Sequence, residues 1–159
     1  MADIPVDGNT RVAWVPAISN KALPTTTELN AGLLLQSLVT ADGLAGFEPE
    51  TADVDTTSLA STFNTVTIGR DTFSGTMLRL KKQDGTDTAY NTLIRGAAGY
   101  IVIRRDVLET TAWTAAQKVE VYPVVCGQTK RLNPEANTVA RYEVPTKITS
   151  APELRAVVA

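Results

Sequence analysis

Residues 100–105 read Tyr-Ile-Val-Ile-Arg-Arg, a run that is apolar on both sides of an extended chain. A strand with one wet face alternates apolar and polar residues, whereas a strand covered on both faces is apolar throughout. We therefore expect residues 100–105 to form a central strand with packed layers on both sides. The preceding segment, residues 88–95, places Tyr90, Leu93 and Ile94 three and four positions apart, which predicts a short helix.

The composition of the 159 residues favours β-structure and excludes several chemistries. The chain has 23 threonines but only 3 phenylalanines and 2 tryptophans, and β-branched threonine suits half-exposed strands. With no histidine and one cysteine, Cys126, it can form neither a Ser-His-Asp site nor an intrachain disulfide. The net charge of −2 argues against general nucleic-acid binding. We expect a protein that is not an enzyme and needs no cofactor or metal.

Short runs of alternating residues predict about seven strands. Residues 62–68 and 73–82, joined by Gly69-Arg70-Asp71, are expected to pair with each other as a hairpin. Residues 119–126 form another strand, in which Pro123 indicates an edge position or a bulge. The other predicted strands are residues 11–15, 138–147 and 154–158.

Two further elements are predicted between residues 24 and 40. Residues 24–32 favour one helical turn, because a threonine can cap it and Glu28 lies near its positive end. Residues 33–40 favour a strand, and a helix is the alternative for so short an apolar run.

Two segments have no obvious place within the predicted domain, which spans residues 11–159. Residues 1–10 are expected to be an extended arm, and residues 41–61 a long irregular loop. Their apolar residues favour docking on another surface, and for residues 41–61 disorder in the isolated chain is the alternative. These residues are Ile4, Val6, Leu44, Phe47, Val54 and Leu59.

Short motifs in the chain carry no specific chemistry. Residues 53–57, Asp-Val-Asp-Thr-Thr, match a phosphotransferase pattern, but the buried strand that this chemistry needs before the first Asp is missing. Residues 96–99, Gly-Ala-Ala-Gly, follow a helix and precede a strand, the reverse of a dinucleotide-binding order. The basic pairs are expected to be solvated strand ends or salt bridges between subunits. These pairs are Lys81-Lys82, Arg104-Arg105 and Lys130-Arg131.

The order of elements along the chain carries more information than any motif. A helix and strand at 88–105 lead to a strand at 119–127, a turn at 133–137 and strands within 140–158. This order resembles the major tail tube proteins of long, non-contractile-tailed bacteriophages and related gene transfer agents. The resemblance covers residues 11–158 as a pattern of elements.

The resemblance implies a mainly β (α+β) fold, a β-sandwich or barrel of the phage tail tube type with one short helix. In that family six copies extend their sheets into one inner barrel, so that they form a hexameric ring. Rings stack into a hollow tube around a tape-measure protein, and DNA later passes through the lumen without specific binding. A terminal arm and a long loop bridge neighbouring rings.

On this resemblance, we expect a subunit of the virion tail that is assembled in the host cytoplasm. Its partners would be further copies of itself, the tape-measure protein and tail-tip or terminator proteins, and no membrane. Contacts between rings are expected at Ile4, Val6, Leu44, Phe47, Val54 and Leu59. Within the predicted 62–82 hairpin, the residues expected to face the lumen are Thr62, Asn64, Thr65, Thr67 and Thr76.

Two alternative functions remain open at this point. A tail terminator or head–tail joining protein shares a related β fold and would stop at one ring. A small β-sandwich module that binds carbohydrate or another ligand belongs to a different class. Such modules present several exposed aromatic residues on one face, and the 9 aromatic residues here are scattered along the chain.

Overall fold

The computed structural model describes residues 1–159 and shows a chain built mainly from antiparallel strands. Two helices of five residues each interrupt the strands. The mainly β fold class predicted from the sequence is confirmed. The elements are β1 (Thr10–Val15), α1 (Thr26–Asn30), β2 (Leu33–Leu34), β3 (Val39–Ala45), β4 (Glu50–Asp55), β5 (Val66–Thr72), β6 (Met77–Lys81), α2 (Thr88–Thr92), β7 (Ala98–Arg105), β8 (Lys118–Cys126), β9 (Lys130–Arg131), β10 (Arg141–Ile148) and β11 (Glu153–Val157).

Nine strands form one sheet in the order β2-β1-β7-β8-β10-β6-β3, with β11 added to β8 and β9 added to β10. This sheet curls into a half-barrel, and β10 belongs to both of its parts. Residues 141–145 of β10 pair with β6, and residues 146–148 pair with β8. We call β2-β1-β7-β8-β11 the five-stranded portion and β9-β10-β6-β3 the four-stranded portion.

Strand β7 lies between β1 and β8 and is covered on both faces, as its apolar run predicts. Successive side chains of a strand point to opposite faces. Ile101 and Ile103 therefore join a cluster of 15 buried residues, while Val102 joins a separate cluster of 10. None of these three side chains is exposed. The central position of this strand is confirmed.

The larger cluster lies between the two portions of the sheet, and the smaller one covers the other face of the five-stranded portion. Leu78, Leu80 and Tyr142 bring the four-stranded portion into the larger cluster. Leu29 of α1 and Trp113 of the β7–β8 connection cover the smaller one. Both tryptophans and Cys126 are buried. The half-barrel is thus held by apolar packing on both sides of β7, without any disulfide.

Both helices begin at capping residues that the sequence indicates. Thr25 accepts a hydrogen bond from the backbone N–H of Glu28, whose carboxylate accepts one from the backbone N–H of Thr25. This reciprocal capping box stabilises a helix too short to be stable by itself. Asp87 caps α2 by accepting from the N–H of Tyr90 at 3.1 Å. The helix predicted at 88–95 is confirmed, but it ends at Thr92.

Two predictions for residues 33–82 are wrong. The segment 41–61 is not an irregular loop, because it contains most of β3 and all of β4. The expected pairing of 62–68 with 73–82 does not occur either. Strand β5 pairs with β4, whereas β6 pairs with β3 and β10. Local alternation identifies strands, but it does not select their partners, which depend on the layers that cover them.

Pro123 occupies neither an edge strand nor a bulge, so this prediction is also wrong. It lies opposite Tyr100 in the interior strand β8. On the other side of β8, β10 pairs with residues 124–126 and β11 pairs with residues 118–121. Pro123 therefore lies where one partner strand gives way to the next. A residue without an N–H is tolerated there because the ladder is already interrupted.

Candidate assembly surfaces

Strands β4 and β5 form a hairpin that pairs with no other strand. Every residue of β4 is exposed, and in β5 only Gly69 is partly covered. The ladder is irregular between Thr51 and Asp53, where a bulge shifts the register. An isolated two-stranded hairpin is only marginally stable in water. We call residues 50–72 the β4–β5 hairpin.

The β4–β5 hairpin carries a concentration of exposed large apolar side chains. Phe63 is 75% exposed and Ile68 is 79% exposed, which is unusual for side chains of this size. Val66 and Ile68 lie on one face of the hairpin, whereas Val54, opposite Thr67, lies on the other. Exposed large apolar side chains concentrated in one segment are typical of interaction sites in soluble proteins. The exposed apolar residues of the hairpin are Val54, Leu59, Phe63, Val66 and Ile68.

The residues predicted to contact other rings fall into two groups. Ile4, Val6, Val54 and Leu59 are exposed, the first two on the arm and the last two on the β4–β5 hairpin. Leu44 is only half-buried, opposite Leu78.

Phe47 is buried, so its predicted role as an inter-ring contact does not fit this structure. Its ring packs edge-to-face on Tyr122, with centroids 5.0 Å apart, and its carbonyl accepts a hydrogen bond from the Tyr122 hydroxyl. Phe47 follows the end of β3 and belongs to the larger buried cluster, so it is a core residue.

Four of the five residues predicted to face a lumen are exposed on the β4–β5 hairpin: Thr62, Asn64, Thr65 and Thr67. The fifth, Thr76, is buried, and its hydroxyl donates to the carbonyl of Gly46 at 2.9 Å. It precedes β6 at the base of the hairpin, so it secures the chain connection instead of facing an open surface.

The outward face of the four-stranded portion carries an ion-pair network that sequence analysis did not identify. The guanidinium of Arg79 donates to Glu143 at 2.7 and 3.1 Å and also binds Asp42. The hydrogen bond to Glu143 is the main cause that raises the pKa of Arg79. The hydrogen bond from Thr40 is the main cause that lowers the pKa of Asp42, and Arg79 adds to this. The network joins β3, β6 and β10 and leaves Arg79 neutralised.

A second basic cluster holds the connection between β7 and β8. Arg11 and Arg104 face each other across β1 and β7, with their guanidinium carbons 4.9 and 5.2 Å from the centroid of Trp113. Arg104 donates to the carbonyls of Leu108 and Ala112. Burial, with a smaller effect from Arg11, lowers the pKa of Arg104. The prediction that the Arg104-Arg105 pair is a solvated strand end is therefore wrong for Arg104, which is fully buried.

The remaining surface contains open clefts. One cleft, about 730 Å³, lies between the base of the β4–β5 hairpin and the turn that joins β10 to β11. A second cleft, about 570 Å³, runs beside β3. No three carboxylate or thiol side chains come together as metal ligands would. Neither helix has the length and apolarity of a transmembrane span.

Comparison with known proteins gives two findings. The whole chain, residues 1–159, matches a family described as phage tail tube protein. The structure is also similar to a chain in the cryo-EM structure of the baseplate of the anti-feeding prophage, six-fold symmetrised. The TM-score is 0.62 over 96% of both chains, and at 8% sequence identity this similarity concerns the fold alone. No curated protein sequence matches the chain.

Proposed function

We propose that this chain, which belongs to the phage tail tube protein family, is the major tail tube subunit, six copies of which form each ring of a hollow tube. The chain is a structural protein of the virion tail. The finer role rests above all on one observation, the exposed apolar β4–β5 hairpin. A marginally stable hairpin with this surface needs a partner to cover it.

Other copies of the same chain are the partner that we propose for the hairpin and the arm. The arm offers Ile4 and Val6, and the hairpin offers Leu59, Phe63 and Ile68, all of them exposed and outside the nine-stranded sheet. Contacts made by projecting segments allow rings to stack while each half-barrel keeps its own core. The tape-measure protein inside the tube, and tail-tip and terminator proteins at its ends, are the further partners. Assembly would take place in the host cytoplasm.

Two surfaces are candidates for the lining of the tube. The sequence favours the hairpin residues Thr62, Asn64, Thr65 and Thr67. The structure offers the outward face of the four-stranded portion, where Arg79 is paired with Asp42 and Glu143. We favour the second surface, because its two arginines, Arg79 and Arg141, are already paired with carboxylates and therefore bind phosphate weakly, which helps DNA to slide past them.

Electron microscopy of the concentrated protein, together with its mass in solution, tests the proposed function. We expect hollow tubes from the wild-type chain. The variant Phe63→Asp with Ile68→Asp is expected to stay folded but to form no tubes, because it places charges on the contact surface. Leu23→Asp with Leu108→Asp is the matched control, since these leucines are also half or more exposed and lie outside the hairpin.

The outcomes separate the competing functions. Tubes from the wild type and the control, but not from the hairpin variant, would support the tube subunit and its hairpin contact. Rings that never stack would favour a terminator or joining protein. A chain that stays monomeric, even when purified tail-tip components are added, would contradict the proposal, and hits on a glycan array would then favour a ligand-binding module.

The lining of the tube can be tested with cysteine variants of the assembled protein. A maleimide on a carrier too large to enter the tube should label Thr67→Cys only if the hairpin lies outside, and a small maleimide should label both surfaces. Lys81→Cys reports on the four-stranded portion, whose outward face includes Lys81 opposite Arg141. We expect the small maleimide to label Lys81→Cys and the large reagent to leave it unlabelled.

A further inference from the structure

Three Asp-Gly dipeptides occur in the chain, at residues 7–8, 42–43 and 84–85. An aspartate followed by glycine can react with its own backbone, because glycine has no side chain to keep the next amide nitrogen away from the carboxyl carbon. All three dipeptides therefore share the same intrinsic chemistry. The structure places them in three different environments, so they should not react equally.

At Asp84 the carboxylate is already turned toward the nitrogen of Gly85. The backbone N–H of Gly85 donates to Oδ1 of Asp84 at 2.9 Å, and it makes no other hydrogen bond in the chain. Both residues are exposed and lie between β6 and α2, and a Cβ at Gly85 would have no neighbour within 4 Å. No strand ladder and no packed side chain therefore holds the nitrogen away from the carboxyl group.

The dipeptide at residues 42–43 is held apart instead. The carboxylate of Asp42 accepts hydrogen bonds from the side chains of Thr40 and Arg79. The bond from Thr40, with a smaller effect from Arg79, lowers the pKa of Asp42, so its neutral carboxyl form is scarce. Gly43 is buried within β3, where a Cβ would overlap the carbonyl oxygen of Arg79. Neither reacting group can approach the other without breaking these contacts.

The dipeptide at residues 7–8 is intermediate between these two cases. It is exposed and lies at the centre of a turn that is closed by a hydrogen bond from the N–H of Asn9 to the carbonyl of Val6, at 3.1 Å. No hydrogen bond joins the carboxylate of Asp7 to the nitrogen of Gly8. The two groups are accessible, but they are not aligned with each other in advance.

We propose that Asp84 and Gly85 are a site of spontaneous backbone isomerisation in the folded protein. The nitrogen of Gly85 attacks the Cγ atom of Asp84 in its neutral carboxyl form. A C–N bond forms as a C–O bond breaks, and the hydroxyl leaves with the amide proton as one molecule of water. The product is a five-membered succinimide ring. Reacting groups that are already in contact gain rate, because bringing them together no longer costs entropy.

Water then opens the succinimide on one of its two sides. Cleavage of the bond between the nitrogen and Cγ restores the aspartate. Cleavage of the bond between the nitrogen and the original main-chain carbonyl leaves an isoaspartate, in which the chain runs through Cβ and Cγ of residue 84. The original carbonyl becomes the free carboxylate, so the net charge is unchanged and no oxidant or reductant is needed. The main chain becomes one carbon atom longer.

The longer chain should weaken the cap of α2. Asp87 accepts from the N–H of Gln83 at 2.8 Å and from the N–H of Tyr90 at 3.1 Å, so its carboxylate bridges the turn that contains residues 84–85. An additional backbone atom between Gln83 and Asp87 changes this spacing, and α2 contributes a buried alanine to the larger cluster. A virion does not renew its subunits, so the modified form would accumulate with age.

Timed incubation of the purified full-length protein at mildly acidic pH, followed by peptide mapping, tests the proposal. Mass spectrometry detects the succinimide by the loss of one water, and labelling with an isoaspartyl methyltransferase counts the isoaspartate at each site. We expect Asp84 in the folded protein to react at least about tenfold faster than Asp42, with Asp7 between them. In urea the three rates should become similar, because each aspartate is followed by glycine.

Asp84→Glu is the matched variant, because it keeps the charge and the larger ring that glutamate would form closes much more slowly. Aged wild-type protein should unfold at a lower temperature than fresh protein, whereas aged Asp84→Glu should unfold like the fresh variant. Asp7→Glu is the control, and ageing should lower its unfolding temperature as much as that of the wild type.

The proposal is overturned if Asp84 in the folded protein reacts no faster than Asp7 or Asp42. It is also overturned if the same ranking persists in urea, because the neighbouring sequence and not the turn would then set the rates. Modification of Asp84 without a change in unfolding temperature would overturn the assigned effect on α2. None of these outcomes depends on ring formation, so they are distinguishable from a failure of the proposed function.

Discussion

Strand β7 and strand β5 share one local pattern but have opposite environments. Each has β-branched apolar residues at alternate positions and an antiparallel partner. In β7, Ile101 and Ile103 have no exposed surface, because the curled sheet and its two apolar clusters cover both faces. In β5, Val66 and Ile68 are 60% and 79% exposed.

The difference shows that strand formation and strand stabilisation have separate sources. Burying one aliphatic side chain contributes about 1.5 to 3 kcal/mol, and the residues of β7 receive that contribution within the chain. The residues of β5 do not, so the β4–β5 hairpin contributes little to the stability of the subunit. On the proposed function, its apolar residues become buried only when copies assemble.

The largest contrast is expected between Leu78→Ala and Ile68→Ala. Leu78 is fully buried in the larger cluster, so its truncation should lower the free energy of unfolding by about 2 to 5 kcal/mol. Ile68→Ala should change that free energy by less than about 0.5 kcal/mol, since the side chain is already in water. Urea unfolding of the dissociated subunits measures both values. Equal losses would mean that the hairpin packs on the subunit after all.

A second contrast concerns two strand glycines. A Cβ at Gly99 in β7 would lie 2.6 Å from the ring of Trp14, which is 4% exposed and cannot move aside. We expect Gly99→Ala to destabilise the subunit by about 1 to 3 kcal/mol. A Cβ at Gly69 in β5 would lie 2.9 Å from the carbonyl oxygen of Ala52, within the hairpin itself. Gly69→Ala should leave the midpoint of thermal unfolding unchanged. Thermal unfolding of both variants measures this difference.

A third contrast is between two aspartates and depends on pH. Asp87 accepts from the backbone N–H groups of Gln83 and Tyr90 and binds Lys82 at 3.4 Å. Burial is the largest single influence and opposes ionisation, but these bonds together outweigh it and lower the pKa of Asp87. Asp87→Ala should cost about 1 kcal/mol at neutral pH, and Asp53→Ala on the exposed hairpin strand should cost less.

The sign of the pH effect follows from the lowered pKa of Asp87. A group that ionises more readily in the folded state stabilises it above its unfolded pKa, about 3.9, and this contribution is lost as the pH falls through the folded value. The difference in the free energy of unfolding between the wild type and Asp87→Ala should therefore become smaller in acid. Urea unfolding at pH 7 and at pH 3 measures it, and a difference that grew in acid would contradict the assigned bonds.

The smallest expected effect is on thiol reactivity, with no change in stability. Burial raises the pKa of Cys126 to about 11, so its thiolate is scarce at pH 8 and its side chain is covered. We expect negligible alkylation of the folded wild-type subunit within the time that labels Thr67→Cys on the exposed hairpin. Mass spectrometry after timed alkylation compares them. Equal alkylation rates would contradict this expectation. They would show that β8 opens locally often enough to expose Cys126 as fully as residue 67 of the hairpin is exposed.

Sequence analysis succeeded where the signal lies within a few residues. The apolar run of residues 100–105 predicts a strand covered on both faces, and the capping residues before α1 and α2 indicate where each helix begins. It failed where the answer depends on distant segments. Gly69-Arg70-Asp71 looks like a turn, but these residues lie inside β5, because the partner of β5 is β4 and not β6.

The candidate surfaces divide in the same way. Apolar residues on the arm and around Leu59 are visible in the sequence, whereas the burial of Phe47 depends on the path of β3 across the core. The partners of Arg79 could not be predicted, since Asp42 and Glu143 lie 37 and 64 residues away along the chain. Such pairs meet only after strand order and register are set.

By itself, the sequence determined the β character of the chain, its helix caps and its inability to form an intrachain disulfide or an imidazole site. These depend on composition and on interactions within a few residues, which any compact arrangement of the chain preserves. Only the tertiary structure decided that β4 and β5 pair with each other outside the main sheet, and that β3 and β9 are edge strands. Whether an apolar residue becomes core or contact surface depends on the layers that cover it, and those layers come from the whole sheet.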